Sequence, residues 1–546
     1  MGTVTPVSGG QALARALHAE GIEVAFGIVG THNVDLFDGL YDVPELRVVA
    51  ARHEGGAGFM ADGYARASGR IAACLVVPGP GVTNLMTALG QAYLDSVPLL
   101  AVAGQNPSER IDRRLEDFHE LHGQLSIVRS VTASAERLAR PADAPVKVRS
   151  AVRLMRDQRP RPTFIEVPLD VAAATEDVAE LPPTEAGVRR ARPDPDTIRR
   201  AIEVLTSARR PIVLAGGGVI SAEAGPALRH VASQLGAPVI MTVHGRGAVS
   251  DEDPLSLGDG WSKLDFFDEF LSEADACLAV GTNFETVTDF SRGAKLPQAL
   301  VHVDIDPTAI GRHRPAAVGI VGDARAVLDQ LRFELGPGVA REPWCDLDGL
   351  RSHKRAALSR VAGPVIELLD ALRAVLPRDA IVVDDLCLPG YWSPLALEVF
   401  EPRTLLHPGM FGTLGYALPA AIGAHIGRPD RVAVALCGDG GFLFSSQELA
   451  TAVQQQVHLV AVVFDDHAYG ALKLVQDRLR HARRIGVDLK SPDFARLGEA
   501  YGAHGVKLRR ADELGRAVAE AVERGGVNVI ECPLEGDLLT VPPPWL

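Results

Sequence analysis

Short apolar runs bounded by glycine and proline alternate along this chain with longer stretches whose apolar residues recur at helical spacing. Near the start, Gln11–Glu20 is amphipathic, Val24–Val29 predicts a strand, Val34–Leu40 a helix and Leu46–Ala50 a strand. The alternation continues through a small-residue helix at Glu54–Ala67, a strand at Ile71–Val77, a helix at Val82–Asp95 and a strand at Leu99–Val102. Strands joined through helical crossovers pair in parallel, with helices covering both faces of the sheet.

The pattern restarts twice. PIVLAGGGVISAEAGPALRHVASQLG opens a second segment as strand, glycine turn and helix, with further strands expected at Pro238–Thr242, Ala276–Val280 and Leu300–Ile305. A third segment starts near Val365, repeats the alternation to Cys532 and ends in the proline-rich tail VPPPWL. Val171–Pro195 and Leu335–Pro364 gain proline, glycine and charge and read as linkers. The expected fold class is α/β, three doubly wound parallel-sheet domains at 1–172, 193–335 and 360–546.

One βαβ unit in the third segment carries candidate chemistry. The apolar run Val432–Leu436 empties into Gly438-Asp439-Gly440-Gly441, a helix-like stretch follows at Ser445–Gln455, and the run Val457–Phe464 delivers Asp465 and Asp466. Strand carboxyl ends are where open α/β sheets bind ligands. Glycine N–H groups at a helix start favour phosphate. Asp439 and Asp466 are candidate ligands for Mg²⁺, which is held by one or two carboxylates plus phosphate oxygens. An ordinary loop or a solvated acidic turn accounts for either piece alone; the combination points to a site.

Composition narrows the function classes. The 546 residues are 47% hydrophobic and 23% charged, a globular profile too long for one core. A net charge of −14 argues against nucleic acid or an anionic membrane as partner. The six scattered cysteines include no CxxC pair, no apolar stretch reaches the length of a membrane span, and the start has no signal-peptide pattern, so a cytoplasmic protein is expected. Gly216-Gly217-Gly218 matches a dinucleotide fingerprint incompletely and reads as a structural turn; FAD or ADP in the central segment is the disfavoured alternative.

Glu54 opens a helix crowded with glycine and alanine, HEGGAGFMADGYAR, where small side chains let another surface approach closely. On its own it would simply complement the helix dipole. Together, HEGGAGFMADGYAR, GPGVTNLMTALGQAYLDSVPLL, FGTLGYALPAAIGA and GDGG…FDDHAYG resemble the acetolactate synthase-type branch of thiamine-diphosphate enzymes along essentially the whole chain. GIVGTHNVDLFDGL and FHELHGQ are especially similar to bacterial 2-oxo acid decarboxylases of the 5-guanidino-2-oxopentanoate type, and the GTH stretch to benzaldehyde lyase.

The resemblance implies a role for each matching residue. Glu54 becomes the carboxylate at the cofactor's aminopyrimidine N1′, where it favours the imino form needed to remove the thiazolium C2 proton. Asp439 and Asp466 become Mg²⁺ ligands, with the Ala468 carbonyl as the third; the family usually has Asn at the position of Asp466, and Asp adds negative charge beside the diphosphate. Gly440 and Gly441 would offer N–H groups to the phosphates, the Gly412 carbonyl would accept from the 4′-amino group, Leu414 would prop the cofactor's bent shape, and Gly438, Tyr469 and Gly470 complete the cofactor-binding set. His32 matches a benzaldehyde lyase-like histidine, His119 falls where many relatives carry an active-site Gln, and both are candidate catalytic residues; His122 and Gln124 neighbour them. Lys473 reads as a solvated helix face before a carboxylate partner.

DDLCLPGYW departs from the polar run of true acetolactate synthases, and no flavin motif stands out. The expected activity is a thiamine-diphosphate- and Mg²⁺-dependent lyase or carboligase on a small-molecule 2-oxo acid, with aldehyde release or acyloin-type ligation. A 2-hydroxyacyl-CoA lyase or oxalyl-CoA decarboxylase-like enzyme, or a catalytically silent homologue, are the alternatives. By family analogy the assembly is a homodimer at minimum, commonly a homotetramer.

Overall fold

The computed structural model describes residues 4–179, 181–182, 193–259, 265–284, 296–337 and 340–542. They form three six-stranded parallel sheets and one two-stranded antiparallel pair. The first sheet holds Val24–Gly27, Arg47–Ala50, Ala72–Val76, Leu99–Gln105, Ser134–Arg137 and Thr163–Pro168. The central sheet holds Pro211–Ala215, Val239–Met241, Ser256–Asp259, Ala276–Val280, Ala299–Asp304 and Val318–Val321. The third holds Ile381–Asp384, Leu405–Leu406, Ala433–Gly438, Leu459–Asp465, His504–Lys507 and Val527–Pro533. Ala72–Val76, Ala276–Val280 and Leu459–Asp465 are buried at every position, which is why they read as continuous apolar runs.

Counting strands in chain order within each domain, the sheet order is 2-1-3-4-6-5 in the first and third domains and 3-2-1-4-5-6 in the central one. The first and third domains therefore share a topology, and in each the order reverses between strands one and three. Ligands bind outside the strand carboxyl ends at such reversals. That rule singles out the segments after Gly27 and Val76 in the first domain, and after Asp384 and Gly438 in the third.

The close neighbour demanded by the small residues of the Glu54–Ser68 helix is the chain's own third domain. Residues of this helix share one core with the Ala417–Gly427 helix, joining Phe26, Met60 and Tyr64 to Tyr416, Ile422 and Ala435. A Cβ on Gly423 would overlap the Met60 carbonyl, and one on Gly63 the Ala420 carbonyl. Backbone cannot yield as a flexible side chain can. Gly423→Ala is therefore expected to cost about 3 kcal/mol, seen as a lowered thermal midpoint. Gly363→Ala, within the Leu347–Val375 helix where the added methyl meets nothing within 4 Å, is the control expected not to lower the midpoint.

Both expected linkers contain regular structure. Thr175–Ala179 pairs antiparallel with Val4–Ser8; its mostly exposed, acidic sequence gave no apolar run to reveal a strand. Leu335–Pro364 overlaps the 29-residue helix Leu347–Val375, capped by Asp346 accepting from Gly349 N–H. The helix kinks at Ala362, two residues before Pro364, whose ring removes a donor and crowds the preceding turn. The start expected for the third domain, residue 360, falls inside this helix. Of the VPPPWL tail, residues 543–546 lie outside the described residues. No helix among the described residues is long and apolar enough to cross a membrane.

Candidate active site

In the third domain, strand Ala433–Gly438 ends on a short helix, Asp439–Leu443, and the longer helix begins only at Glu448. The helix expected over Ser445–Gln455 starts three residues later, at Glu448, and a separate short helix precedes it, beginning on the glycine turn itself. Asp439 is buried, and its hydrogen bonds come from neutral donors: Gly440 N–H at 2.7 Å, Ala468 N–H at 3.1 Å and Ser491 O–H at 3.0 Å. Ser491 O–H also lies 2.8 Å from Asp465 Oδ1. Burial raises the proton affinity of Asp439 well above the ordinary carboxylate range, and the charge of Asp466 raises it further. Asp466 is pushed up to about 6 by burial and by Asp465.

The segment after Asp466 is fixed by a bridge between Ala468 and Asp488, with Tyr469 N–H donating to the Val487 carbonyl and Leu489 N–H to that of His467. In this pairing Ala468's own N–H and C=O turn away from the 487–489 segment, and its N–H reaches Asp439. A Cβ on Gly440 would come within 2.6 Å of the Tyr469 ring, so the glycine is needed for Tyr469 to cover the turn. Lys473 pairs with Asp488 at 2.7 Å.

A second loop converges on the same turn. Asp385, buried and pushed up to about 6 by burial, accepts from Leu386 N–H at 2.9 Å and Gly415 N–H at 3.0 Å. This ties the segment holding Gly412 and Leu414 to the glycine turn, since a Cβ on Gly441 would lie 3.0 Å from Asp385 Oδ2. From the first domain, Asp95 accepts from Gly409 N–H at 2.9 Å and Met410 N–H at 3.0 Å while paired with Arg66 at 2.7 Å. Gly412 is exposed with φ 68°, a conformation glycine adopts without strain, and Leu414 is half-buried.

In the first domain the His32 loop and the Gly79–Gly81 turn lie at the matching sheet reversal, and Glu54, after the edge strand Arg47–Ala50, packs beside them. Glu54 is the first residue of its helix, half-buried, and accepts from Asn84 Nδ2 at 2.9 Å. The Gly79-Pro80-Gly81 turn separates it from His119: a Cβ on Gly81 would lie 3.5 Å from Glu54 Oε1, and one on Gly79 2.5 Å from the His119 carbonyl. Gln124 clamps this turn, accepting from Gly79 N–H at 3.0 Å and donating to buried Glu166 at 2.8 Å. The loop carrying His32 is shaped by Asn33, which accepts from Gly30 N–H at 2.7 Å. His32 is buried, shares a hydrogen bond with Asn106 Oδ1 at 2.9 Å, and its ring centre lies 5.0 Å from that of His119. Phe118 stacks on His119 at 3.9 Å, and burial followed by the proximity of His32 lowers the proton affinity of His119.

His32 and His119 therefore meet, and Glu54 stands across one turn from them. Asp439, Asp466, Ala468 and the glycines meet in the other half. Among the described residues, no hydrogen bond or ion pair joins Glu54 to the 438–470 half. The residues fit a diphosphate and a hard cation: Asp439 is buried with Asp465 and Asp466 close by, and a cation would relieve the burial and crowding that raise the proton affinity of Asp439 and Asp466. Among the described residues no three His, Cys, Asp or Glu side chains form a metal cage, so phosphate and water would complete the shell. Ser491, Asn84, Asn106 and Glu166 escaped the sequence reading; Ser491 is 26 residues beyond Asp465, and no local pattern links the two. In the central domain, Gly218 N–H donates to the Gly281 carbonyl at 3.0 Å, which gives the triple-glycine turn a packing reason of its own.

Comparison with known proteins matches each of the three domains to a family model. Residues 7–128 match the thiamine pyrophosphate enzyme N-terminal TPP binding domain, 198–331 the central domain and 387–532 the C-terminal TPP binding domain. The chain is 39% identical over 544 residues to the probable 2-ketoarginine decarboxylase AruI of Pseudomonas aeruginosa, covering 96% of this chain and 94% of that one. It is 32% identical over 536 residues to a probable acetolactate synthase large subunit of Methanocaldococcus jannaschii, covering 94% and 90%. It is 31% identical over 535 residues to the acetolactate synthase isozyme 3 large subunit of Escherichia coli, covering 95% and 92%. The chain belongs to the thiamine pyrophosphate enzyme family.

Proposed function

We propose that this protein is a thiamine-diphosphate- and Mg²⁺-dependent lyase or carboligase acting on 2-oxo acids, each centre being completed by two copies of the chain. The observation that carries the reading is the division of the site: a buried acidic clamp after strands three and four of the third domain, and Glu54 after strand two of the first, beside the Gly79–Gly81 turn that follows strand three. Higher identity to a 2-ketoarginine decarboxylase than to the acetolactate synthases favours decarboxylation with aldehyde release over ligation. Six free cysteines support a cytoplasmic setting.

Asp439, Asp466 and the Ala468 carbonyl would hold Mg²⁺, with Gly438, Gly440 and Gly441 against the diphosphate and Tyr469 and Gly470 closing the turn. Gly412 and Leu414 would orient the ring portion. Thiamine diphosphate, when bound, supplies the electron sink that decarboxylation of a 2-oxo acid needs. Glu54 holds and returns a proton at the pyrimidine nitrogen. His32 and His119 give and take protons where the substrate carbonyl is transformed, a task suited to imidazoles near neutral pH.

The direct test is purified protein with thiamine diphosphate, Mg²⁺ and a panel of 2-oxo acids differing in side chain. Release of CO₂ that depends on both additions is expected; no CO₂, no ligated product and no acyloin cleavage from any substrate would overturn the reading. His32→Ala and His119→Ala are each expected to lower kcat about 10²-fold without changing the exchange rate of the cofactor C2 proton. Wild-type kcat in both variants would remove these residues from the chemistry.

A further inference from the structure

Glu448 opens the Glu448–Gln454 helix of the third domain, five residues beyond the short helix that starts on Asp439. It is fully buried, yet its carboxylate faces the first domain. Both oxygens accept from Arg52 N–H, at 3.1 and 3.2 Å, and Thr451 O–H donates to Oε2 at 2.7 Å. Arg52 lies two residues before Glu54, at the entry to the Glu54–Ser68 helix. The contact leaves no slack, because a Cβ on Gly56, in the first turn of that helix, would overlap the Glu448 carboxylate. Elsewhere this helix meets the third domain through close backbone contacts such as Gly63 and Ala420. At its N-terminal end it is held by a charged hydrogen-bond acceptor instead.

A carboxylate accepting backbone N–H groups ahead of a helix forms strong, directional hydrogen bonds and is favoured there by the dipole. We propose that Glu448 is a positioning residue for Glu54: it fixes the entry to the helix, and so the height and direction from which the Glu54 carboxyl reaches its target. Through Glu448, the domain that holds the diphosphate in one centre sets the acid of the Glu54 half-site on the same chain. Glu448 itself touches neither cofactor nor substrate. The inference rests on the reading that Glu54 faces the cofactor's pyrimidine ring.

The test compares Glu448→Ala and Glu448→Gln in the full-length protein loaded with thiamine diphosphate and Mg²⁺. Exchange of the cofactor C2 proton, kcat, KM and cofactor affinity are each measured. A misplacement of this kind costs about 10²-fold, so Glu448→Ala is expected to lose that factor in both C2 exchange and kcat. KM and cofactor affinity are expected to hold within about threefold of wild type. Glu448→Gln, which keeps one acceptor oxygen for Arg52, is expected to recover most of the loss. If Glu448→Ala fails to fold, Thr451→Val takes its place. That variant removes the hydroxyl that orients the carboxylate and leaves Arg52 untouched, and it is expected to slow C2 exchange and kcat together. Wild-type exchange in whichever variant is used, or a loss tracking cofactor affinity alone, overturns the inference. Full activity in Glu54→Gln would instead overturn the reading beneath it.

Discussion

Glu54→Gln is expected to lower kcat about 10³-fold while the protein stays folded and binds thiamine diphosphate and Mg²⁺ as the wild type does. The carboxamide has the carboxylate's size and still offers an oxygen to Asn84 Nδ2. It cannot hold a proton and return it, which is the one property the reading asks of this residue. Glu54 is half-buried at the first turn of its helix, so the substitution opens no cavity. Steady-state turnover, cofactor titration and a thermal melt separate the possibilities. Loss of turnover with unchanged binding and melting is the expected pattern, and turnover within tenfold of wild type would show that Glu54 is not the proton carrier.

Asp439→Ala is expected to abolish retention of the cofactor rather than its chemistry. The wild type at a cofactor concentration of about 100 Kd gains about 2.7 kcal/mol of stability from binding, read as an upward shift in melting temperature that requires Mg²⁺. Removing Asp439 takes away one of two carboxylates and the acceptor that orders Gly440, Ala468 and Ser491. The Mg²⁺-dependent shift is expected to vanish in this variant. Asp466→Asn keeps an oxygen ligand while relieving charge crowding, and is expected to retain the shift. An Asp439→Ala protein that still shows the full shift would contradict the assignment of the clamp.

Much of this was legible in the residues. Continuous apolar strands such as Ala72–Val76 and Leu459–Asp465 announce themselves because both faces are covered, so the parallel α/β architecture could be read directly. Asp439 and Asp466 stood out as candidates because each directly follows an apolar strand. Glu54, by contrast, becomes meaningful only beside the family motifs, since any helix can open on an acid. Elements that lack an apolar signature were missed: Thr175–Ala179 exposes most of its residues, and the Leu347–Val375 helix begins in a charged, solvated stretch. Glu448 and Ser491 act through partners distant in sequence, Arg52 at a separation of 396 residues and Asp439 at 52, and no spacing rule reaches so far. The small residues of the Glu54–Ser68 helix did foretell a close neighbour, and the chain supplies one from its own third domain.

The central claim is that Glu54 of one chain and the 438–470 segment of another make one centre, and subunit complementation tests it most directly. Glu54→Gln and Asp439→Ala proteins, each inactive alone, are mixed under conditions that exchange subunits, and CO₂ release from a 2-oxo acid substrate is followed. In a mixed dimer one centre carries both substitutions and the other carries neither, so activity is expected to return to about a quarter of wild type when subunits pair at random. A mixture with confirmed subunit exchange that stays inactive would contradict the account, because it would place both halves of each centre on a single chain.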